Sequence, residues 1–376
     1  MKIACSFVGG AGHLVPQLPL HRALAEAGHQ LTVIGRQSAL AAAPAELFEA
    51  AVARPDPRSA TSSAIAPLKR VDVDAELTVV ADHFAARAAQ QSFQAVAPAL
   101  VGASLLVCDE LDFGAMAAAD LAGVPVVVVS VIATGSLVRP PLVTPSVLRL
   151  RELYGITGSP RLRGDLFVVP FAPSMRQAAS EEWADGPDTL WMRPGATNQQ
   201  IDSAATAPDD SIVVTLGTEF NTESGDLFDR ILAALSTIEA PAVVAIGRDL
   251  DPARFGPQPA RIRVERFVDL ATLIPRASVV LHHGGSGVFT VSALGGAPQI
   301  AFPMGADQPF TAERVTALGI GLAMDAMTST PEQILGAIQQ LRADTAQRTK
   351  AAALRDELLC LPSPESLLPA IMALTG

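Results

Sequence analysis

The chain has 376 residues, room for two domains at roughly 100–200 residues each. Hydrophobic residues make up 49% of it, enough for a large core and too much for a chain dominated by disorder. Acidic side chains outnumber basic ones 38 to 27, a net charge of −11, which argues against a broad nucleic-acid or anionic-lipid surface. Cys5, Cys108 and Cys360 are too few and too scattered for a disulfide framework or a cysteine zinc site. Buried thiols in a reducing cytoplasm are expected instead. The opening stretch MKIACSFVGG lacks the basic region, apolar core and cleavage site of a leader. The most apolar run, Val124 to Ala133, falls far short of the roughly 20 residues of a membrane span.

Short β-branched runs alternate with longer Ala/Leu-rich segments. Ile3–Val8, Leu31–Ile34, Leu105–Cys108 and Val124–Val129 are predicted as strands, continuously apolar as strands covered on both faces must be. Helical spacing from Leu14 to Ala27, stopped by Gly28, and from Phe113 to Leu121, stopped by Gly123, completes a βαβ rhythm. Pro55 to Pro67 reads as a surface loop, and the apolar, Pro-rich stretch Thr134–Arg151 as a loop available to an acceptor pocket. Arg193 to Asp210 is polar and without period, and is predicted as a linker. The rhythm restarts with strands at Ile212–Leu216, Ala242–Ile246, Val279–Leu281 and Gln299–Phe302. Helices are predicted at Asp226–Leu235, Gly285–Leu294, Thr311–Leu318, Pro331–Leu341 and Pro364–Leu374. The class is α/β, with two doubly wound halves in tandem. The expected domains are 1–195, a linker 196–210, 211–360, and a terminal helix in 361–376 that packs back on the N-terminal domain.

Three constellations carry chemistry. Gly9, Gly10 and Gly12 follow the first strand and open the first helix, where glycines let a ligand approach backbone amides. The turn matches a dinucleotide fingerprint only at Gly10 and Gly12, with Val15 in place of the third glycine; Arg36 would suit a 2′-phosphate of NADP. His13 sits where strand becomes helix, a place for a general base or for a histidine bonded to its own turn. Asp109 ends a buried strand, placed to orient His13 or, like Asp112, to cap the next helix. The third constellation is strongest. Val279–Leu281 runs into His282, His283, Gly284, Gly285, Ser286 and Gly287, and backbone N–H groups at a glycine-rich helix start form an anion site. A metal reading of His282–His283 is poor, because neighbours on a strand point opposite ways. Asp307 and Gln308 follow the next strand, one accepting and the other doing both, as a polyhydroxylated ligand needs.

This block resembles that of the nucleotide-sugar-dependent glycosyltransferases of GT-B fold, in the natural-product (antibiotic) UDP/dTDP branch of actinobacteria. The resemblance is strong over Phe267–Phe310, moderate over Ile3–Gly35 and Val107–Val127, and vague elsewhere. It implies two Rossmann-like domains facing across a cleft, an N-terminal one for the acceptor and a C-terminal one for the nucleotide sugar. It implies His13 as general base, Asp109 as its carboxylate partner, and Gly10 and Gly12 as an acceptor-side turn. It assigns Thr218, His283, Gly285, Gly287 and Val288 to the diphosphate, Phe267 and Val268 to the nucleobase, and Asp307 and Gln308 to the donor sugar. Val288 stands where the family usually has Thr or Ser. Val291 stands where plant members have a ribose-binding Glu, which tilts the expected donor towards dTDP over UDP. No cofactor and no metal are expected. The D-x-D pairs Asp72–Asp74 and Asp249–Asp251 read as solvated loop charge.

The resulting expectation is a cytoplasmic, metal-independent inverting glycosyltransferase acting on a small, hydrophobic aglycone, with a homodimer left open. A nucleotide-sugar epimerase of the same fold, an NADP-dependent oxidoreductase using the first glycine turn, and an idle nucleotide-sugar-binding protein remain as alternatives.

Overall fold

The computed structural model of the chain describes residues 1–41, 43–55, 65–177, 185–186, 189–195, 209–218 and 220–376. Packing divides it into two compact units. One comprises Met1–Ser59, Asp74–Gly195 and Leu361–Gly376, the other Ala60–Val73 and Ala196–Cys360.

The first unit is built on β1 (Lys2–Ser6), β2 (Gln30–Arg36), β3 (Ala50–Arg54), β4 (Leu105–Asp109), β5 (Val126–Val129), β6 (Leu166–Val169) and β7 (Thr189–Trp191). They lie parallel in the order β3-β2-β1-β4-β5-β6-β7. The second holds β8 (Ser211–Thr215), β9 (Ala242–Ala245), β10 (Ile262–Glu265), β11 (Ala277–His282), β12 (Gln299–Ala301) and β13 (Gly321–Ala323). These are also parallel, in the order β10-β9-β8-β11-β12-β13. Both are doubly wound Rossmann-type sheets, and each reverses its winding direction once, between β1 and β4 and between β8 and β11. Such a switch point opens a crevice at the carboxyl ends of the strands. The two halves therefore share one architecture, a doubly wound parallel sheet.

Local chemistry sets the elements. Val126–Val129 is buried at every position, as a strand covered by helices on both faces requires. The helix Phe113–Ala122 starts at Asp112, whose side chain accepts from Ala115 N, and stops at Gly123 in the left-handed region at φ 66°. Asp112, not Asp109, is thus the cap.

Several predicted elements differ. The first helix breaks into Ala11–Leu14, a 3₁₀ turn Val15–Gln17 containing Pro16, and Leu18–Glu26; Pro16 and Pro19 lack the N–H groups a continuous helix uses. Thr134–Arg151 is not a loop throughout, because Pro140–Leu153 is a helix with prolines in its first turn and Pro145 inside. Leu137, Val138 and Val143 are buried. Cys5 and Cys108 are buried, but Cys360 is exposed, against the expectation of three buried thiols. The described residues Ile65–Val73 pack with the second unit, whereas the sequence reading left them in the first. Of the predicted linker, 196–208 lie outside the described residues. Residues 361–376 join the first unit, where Leu367 and Ile371 are buried among Ile3, Cys5, Leu20 and Leu24. No helix among the described residues is long and apolar enough to cross a membrane.

Candidate functional site

The switch point of the first sheet gathers His13 and Asp109. β1 ends at Ser6 and the chain turns through Phe7–Gly10, which brings Asp109 at the end of β4 under the turn. Asp109 is fully buried and its carboxylate is saturated. Oδ1 accepts from Leu111 N at 2.7 Å, while Oδ2 accepts from Val8 N at 2.7 Å and meets His13 Nδ1 at 3.2 Å. With a charged acceptor at Nδ1, the neutral imidazole carries its proton there and keeps a lone pair on Nε2. His13 retains 18% side-chain exposure and stacks on Phe84 at 5.8 Å. Its backbone is fixed by Gln17, whose Nε2 donates to His13 O at 2.8 Å. A Cβ on Gly9 would lie 2.0 Å from the His13 ring, so that glycine makes room for the imidazole. Neighbouring carboxylates are structural. Ser6 Oγ donates to Asp112 at 2.6 Å, and Glu110 accepts from Ser130 Oγ, Val131 N and Ile132 N. Burial raises the pKa of both Asp112 and Glu110 above the ordinary carboxylate range.

The switch point of the second sheet gathers the loops after β8 and β11. His282 is fully buried and committed on both nitrogens. Its Nδ1 accepts from Gly284 N at 2.9 Å, so the proton sits on Nε2, 2.9 Å from Gln299 Oε1. Burial lowers its pKa to about 4. His283 points the other way. Its ring lies between Gly217 and Gly285, where added Cβ atoms would come within 2.6 and 2.5 Å of it, and Phe220 sits 6.2 Å away. Burial, then the neighbouring His282, push its pKa down to about 3. Its Nδ1 is buried and has no hydrogen-bond partner among the described residues. A buried, unsatisfied polar atom is costly, and a ligand acceptor or donor at this place would relieve it.

The helix Ser286–Leu294 begins immediately after this ring. Gly285 caps it without a side-chain bond of its own, and the positive end of the helix dipole faces the same space. Gly287 is exposed and Val288 buried; Val291 is partly buried against a small apolar cluster that includes Ile274 and Val280. Asp307 is buried and accepts from Ser286 Oγ, which ties the Asp307 loop to the helix start. Ala306, just before it, takes a left-handed φ of 52°, a costly conformation for a residue with a Cβ. Gln308 is buried and its Oε1 accepts from Met304 N at 2.7 Å. One amide oxygen of Gln308 is therefore spent on the loop, a role the sequence reading missed. Thr218 is exposed, beyond β8. Phe267 is 62% exposed after β10, with the Arg248 guanidinium 4.8 Å over its ring, and Val268 is half-buried beside it. Arg248 carried no signal in the sequence. Gly10 and Gly12 stay with the first switch point. Among the described residues no cluster of three His, Cys, Asp or Glu could hold a metal. Asp251 instead caps the turn Pro252–Phe255, and Asp74 lies in the first turn of the helix Val73–Val79.

Comparison with known proteins follows the same outline. Residues 229–374 match the family described as erythromycin biosynthesis protein CIII-like, C-terminal domain. The chain is 28% identical to an L-demethylnoviosyl transferase of Streptomyces niveus over 97% of this chain and 96% of that one. It is 34% identical to a 3-alpha-mycarosylerythronolide B desosaminyl transferase of Saccharopolyspora erythraea, over 29% of this chain and 26% of that one. That second match spans about a quarter of the relative's length. A spinosyn rhamnosyltransferase solved with thymidine diphosphate superimposes with a TM-score of 0.77 at 21% identity, covering 99% of this chain and all of that one (100%).

Proposed function

The chain has the GT-B fold and resembles the glycosyltransferases of antibiotic pathways, and from that premise we propose that it moves a sugar from a dTDP- or UDP-sugar to a hydroxyl of a small, hydrophobic natural-product aglycone. The observation that carries the reading is the His283 imidazole. It is seated between two glycines at a switch point, its Nδ1 is unpartnered, and a glycine-capped helix start adjoins it. That set of donors suits a diphosphate.

In this reading Thr218, His283 and the N–H groups from Gly285 to Val288 take the diphosphate, and their donors stabilise the charge that grows on the leaving oxygen. Phe267 offers a ring face to the nucleobase and Val268 its backbone. Asp307 and Gln308 take the sugar hydroxyls. His13 Nε2 accepts the proton of the acceptor hydroxyl as the oxygen attacks the anomeric carbon. The imidazolium so formed is stabilised by Asp109, which stays charged. One base acting opposite the leaving group makes a single displacement, with inversion at the anomeric carbon. Positioned base catalysis of this kind contributes roughly 10²–10⁴-fold. No residue of this scheme requires a metal or cofactor.

The test is incubation with TDP-glucose and UDP-glucose and a panel of aglycone alcohols. A glycoside of inverted anomeric configuration is expected. Epimerised free nucleotide sugar, hydride chemistry with NADPH, or nucleotide binding without turnover would each replace this reading by a different one.

A further inference from the structure

The segment Ile65–Leu68 lies between elements of the first unit in the sequence but packs within the second. There it meets the turn Phe220–Gly225 that follows Thr218. Ala66 makes both of its backbone bonds to that turn. Its N–H donates to Thr222 O at 2.6 Å and its carbonyl accepts from Gly225 N at 3.0 Å. Ile65 and Leu68 on either side pack against the apolar core of the second unit, the same core that Phe220 packs on. Gly225 has φ 54°, and a Cβ there would lie 3.0 Å from Leu68 N. Glycine at this position lets the two strands of chain approach.

The turn needs such a partner. Asn221–Glu223 is a single 3₁₀ turn without a side-chain cap, too short to hold its own shape. Besides Ala66 it is anchored from within. Buried Asn221 donates Nδ2 to Ile246 O at 3.1 Å, and Ser224 Oγ donates to Asn221 O at 2.8 Å. Through Ile246 and Gly247 that anchor continues to Arg248, which lies over Phe267. On its other side the turn presents Phe220 to the His283 ring. The segment itself is stiff. Ala66 precedes Pro67, and a residue before proline is held extended, so its N–H and carbonyl are pre-set to bracket the turn.

We infer that Ile65–Leu68 is a positioning element for the donor diphosphate: a piece of the N-terminal half of the sequence sets the loop that carries Thr218 and Phe220 beside His283. The inference rests on the donor-site reading above. Its residues touch no substrate; they act by holding the turn.

The experiment uses the full chain, with Leu68→Ala, Pro67→Gly and the conservative Leu68→Met. Pro67 is exposed, so its replacement frees the Ala66 backbone without opening a core and keeps the test available if Leu68→Ala fails to fold. Two readouts are taken: hydrogen exchange of the Gly225 amide without ligand, and TDP affinity by calorimetry. Faster Gly225 exchange and roughly tenfold weaker TDP binding are expected in Leu68→Ala and Pro67→Gly, the order that one lost hydrogen bond costs. Leu68→Met should stay near wild type, and KM for the donor should rise with the acceptor KM unchanged. Folded variants that bind TDP as the wild type does would overturn the inference, whatever their exchange. A wild-type chain that binds neither TDP nor UDP would overturn the donor-site reading instead. Gly225 exchange, which needs no ligand, would then decide alone whether the segment holds the turn.

Discussion

Asp109→Asn separates a catalytic role for the His13 pair from a structural one. The native carboxylate accepts three bonds, from Val8 N, Leu111 N and His13 Nδ1. An amide has one accepting oxygen and one donating nitrogen. If its oxygen takes Leu111 N, its NH₂ faces Val8 N–H and His13 Nδ1. The first contact sets donor against donor, and the second forces Nδ1 to accept and moves the imidazole proton to Nε2. The base is then in the wrong tautomer. The stability cost is one unsatisfied buried N–H plus a lost charge-assisted bond, roughly 2–4 kcal/mol together. The kinetic cost is the base contribution itself, roughly 10²–10⁴-fold in kcat. TDP affinity should not change, because the residues proposed for the nucleotide all belong to the second unit. The assay is steady-state transfer to an aglycone alcohol, with calorimetry for TDP and a thermal melt to confirm folding. A folded Asp109→Asn protein within threefold of wild-type kcat would refute the reasoning, since no tautomer control would then be needed.

His283→Ala should weaken TDP binding by the worth of one bond to a charged group, roughly 1.5–3 kcal/mol, read by calorimetry. Equal affinity in mutant and wild type would remove His283 from the diphosphate site. Val291→Glu should shift preference from TDP towards UDP in a competition assay that includes dUDP; a wild-type preference for UDP over dUDP would count against the expected donor. His282 has a folded pKa of about 4 against 6.5 unfolded, so the unfolded chain binds the extra proton between those values, and stability is lost as pH falls from about 6.5 to about 4. That loss is worth roughly 3 kcal/mol for a shift of this size. Urea unfolding at pH 7 and pH 5 should show it, and His282→Gln should flatten the slope by about one proton.

Much of this was legible because the signals were local. Val126–Val129 is apolar throughout, Gly123 and Gly28 stand where a chain must turn left-handed, and the glycine block after β11 opens a helix, so strand, stop and loop follow from composition within a few residues. Gly9 and Gly285 were legible as close-approach positions, although the sequence did not say that the group approaching would be a histidine ring. What could not be read was non-local. Pro140–Leu153 is helical despite three prolines because two stand in its first turn, where no N–H is needed. The helix Thr345–Leu359 and the strands β3, β6, β7, β10 and β13 are short or polar enough to lack a clear period. Ile65–Leu68 belongs with the second unit through two backbone bonds and two side chains, none of which leaves a pattern in the sequence. Arg248 and the Gln308–Met304 bond depend on loop geometry alone.

The adjacent histidines show how one unit of sequence divides two tasks. Strand alternation sends His282 into the interior and His283 to the loop face. Inside, His282 uses both nitrogens on protein groups, Gly284 N and Gln299 Oε1, so it cannot serve a ligand and instead fixes the backbone at Gly284. Gly284 has φ 94°, and a Cβ there would press within 3.1 Å of Gln308 O. The same bond therefore holds the glycine turn against the Gln308 loop. His283 inherits a backbone already immobilised on one side by His282 and walled on the other by Gly217. Its orientation needs no hydrogen bond of its own at Nδ1, which leaves that atom unpartnered. Replacing His282 should consequently disturb the anion site without touching it: His282→Gln keeps an acceptor for Gly284 N and should bind TDP better than His282→Leu, which keeps none. Equal TDP affinity in the two variants, both folded, would show that the Gly284 bond has no part in shaping the site.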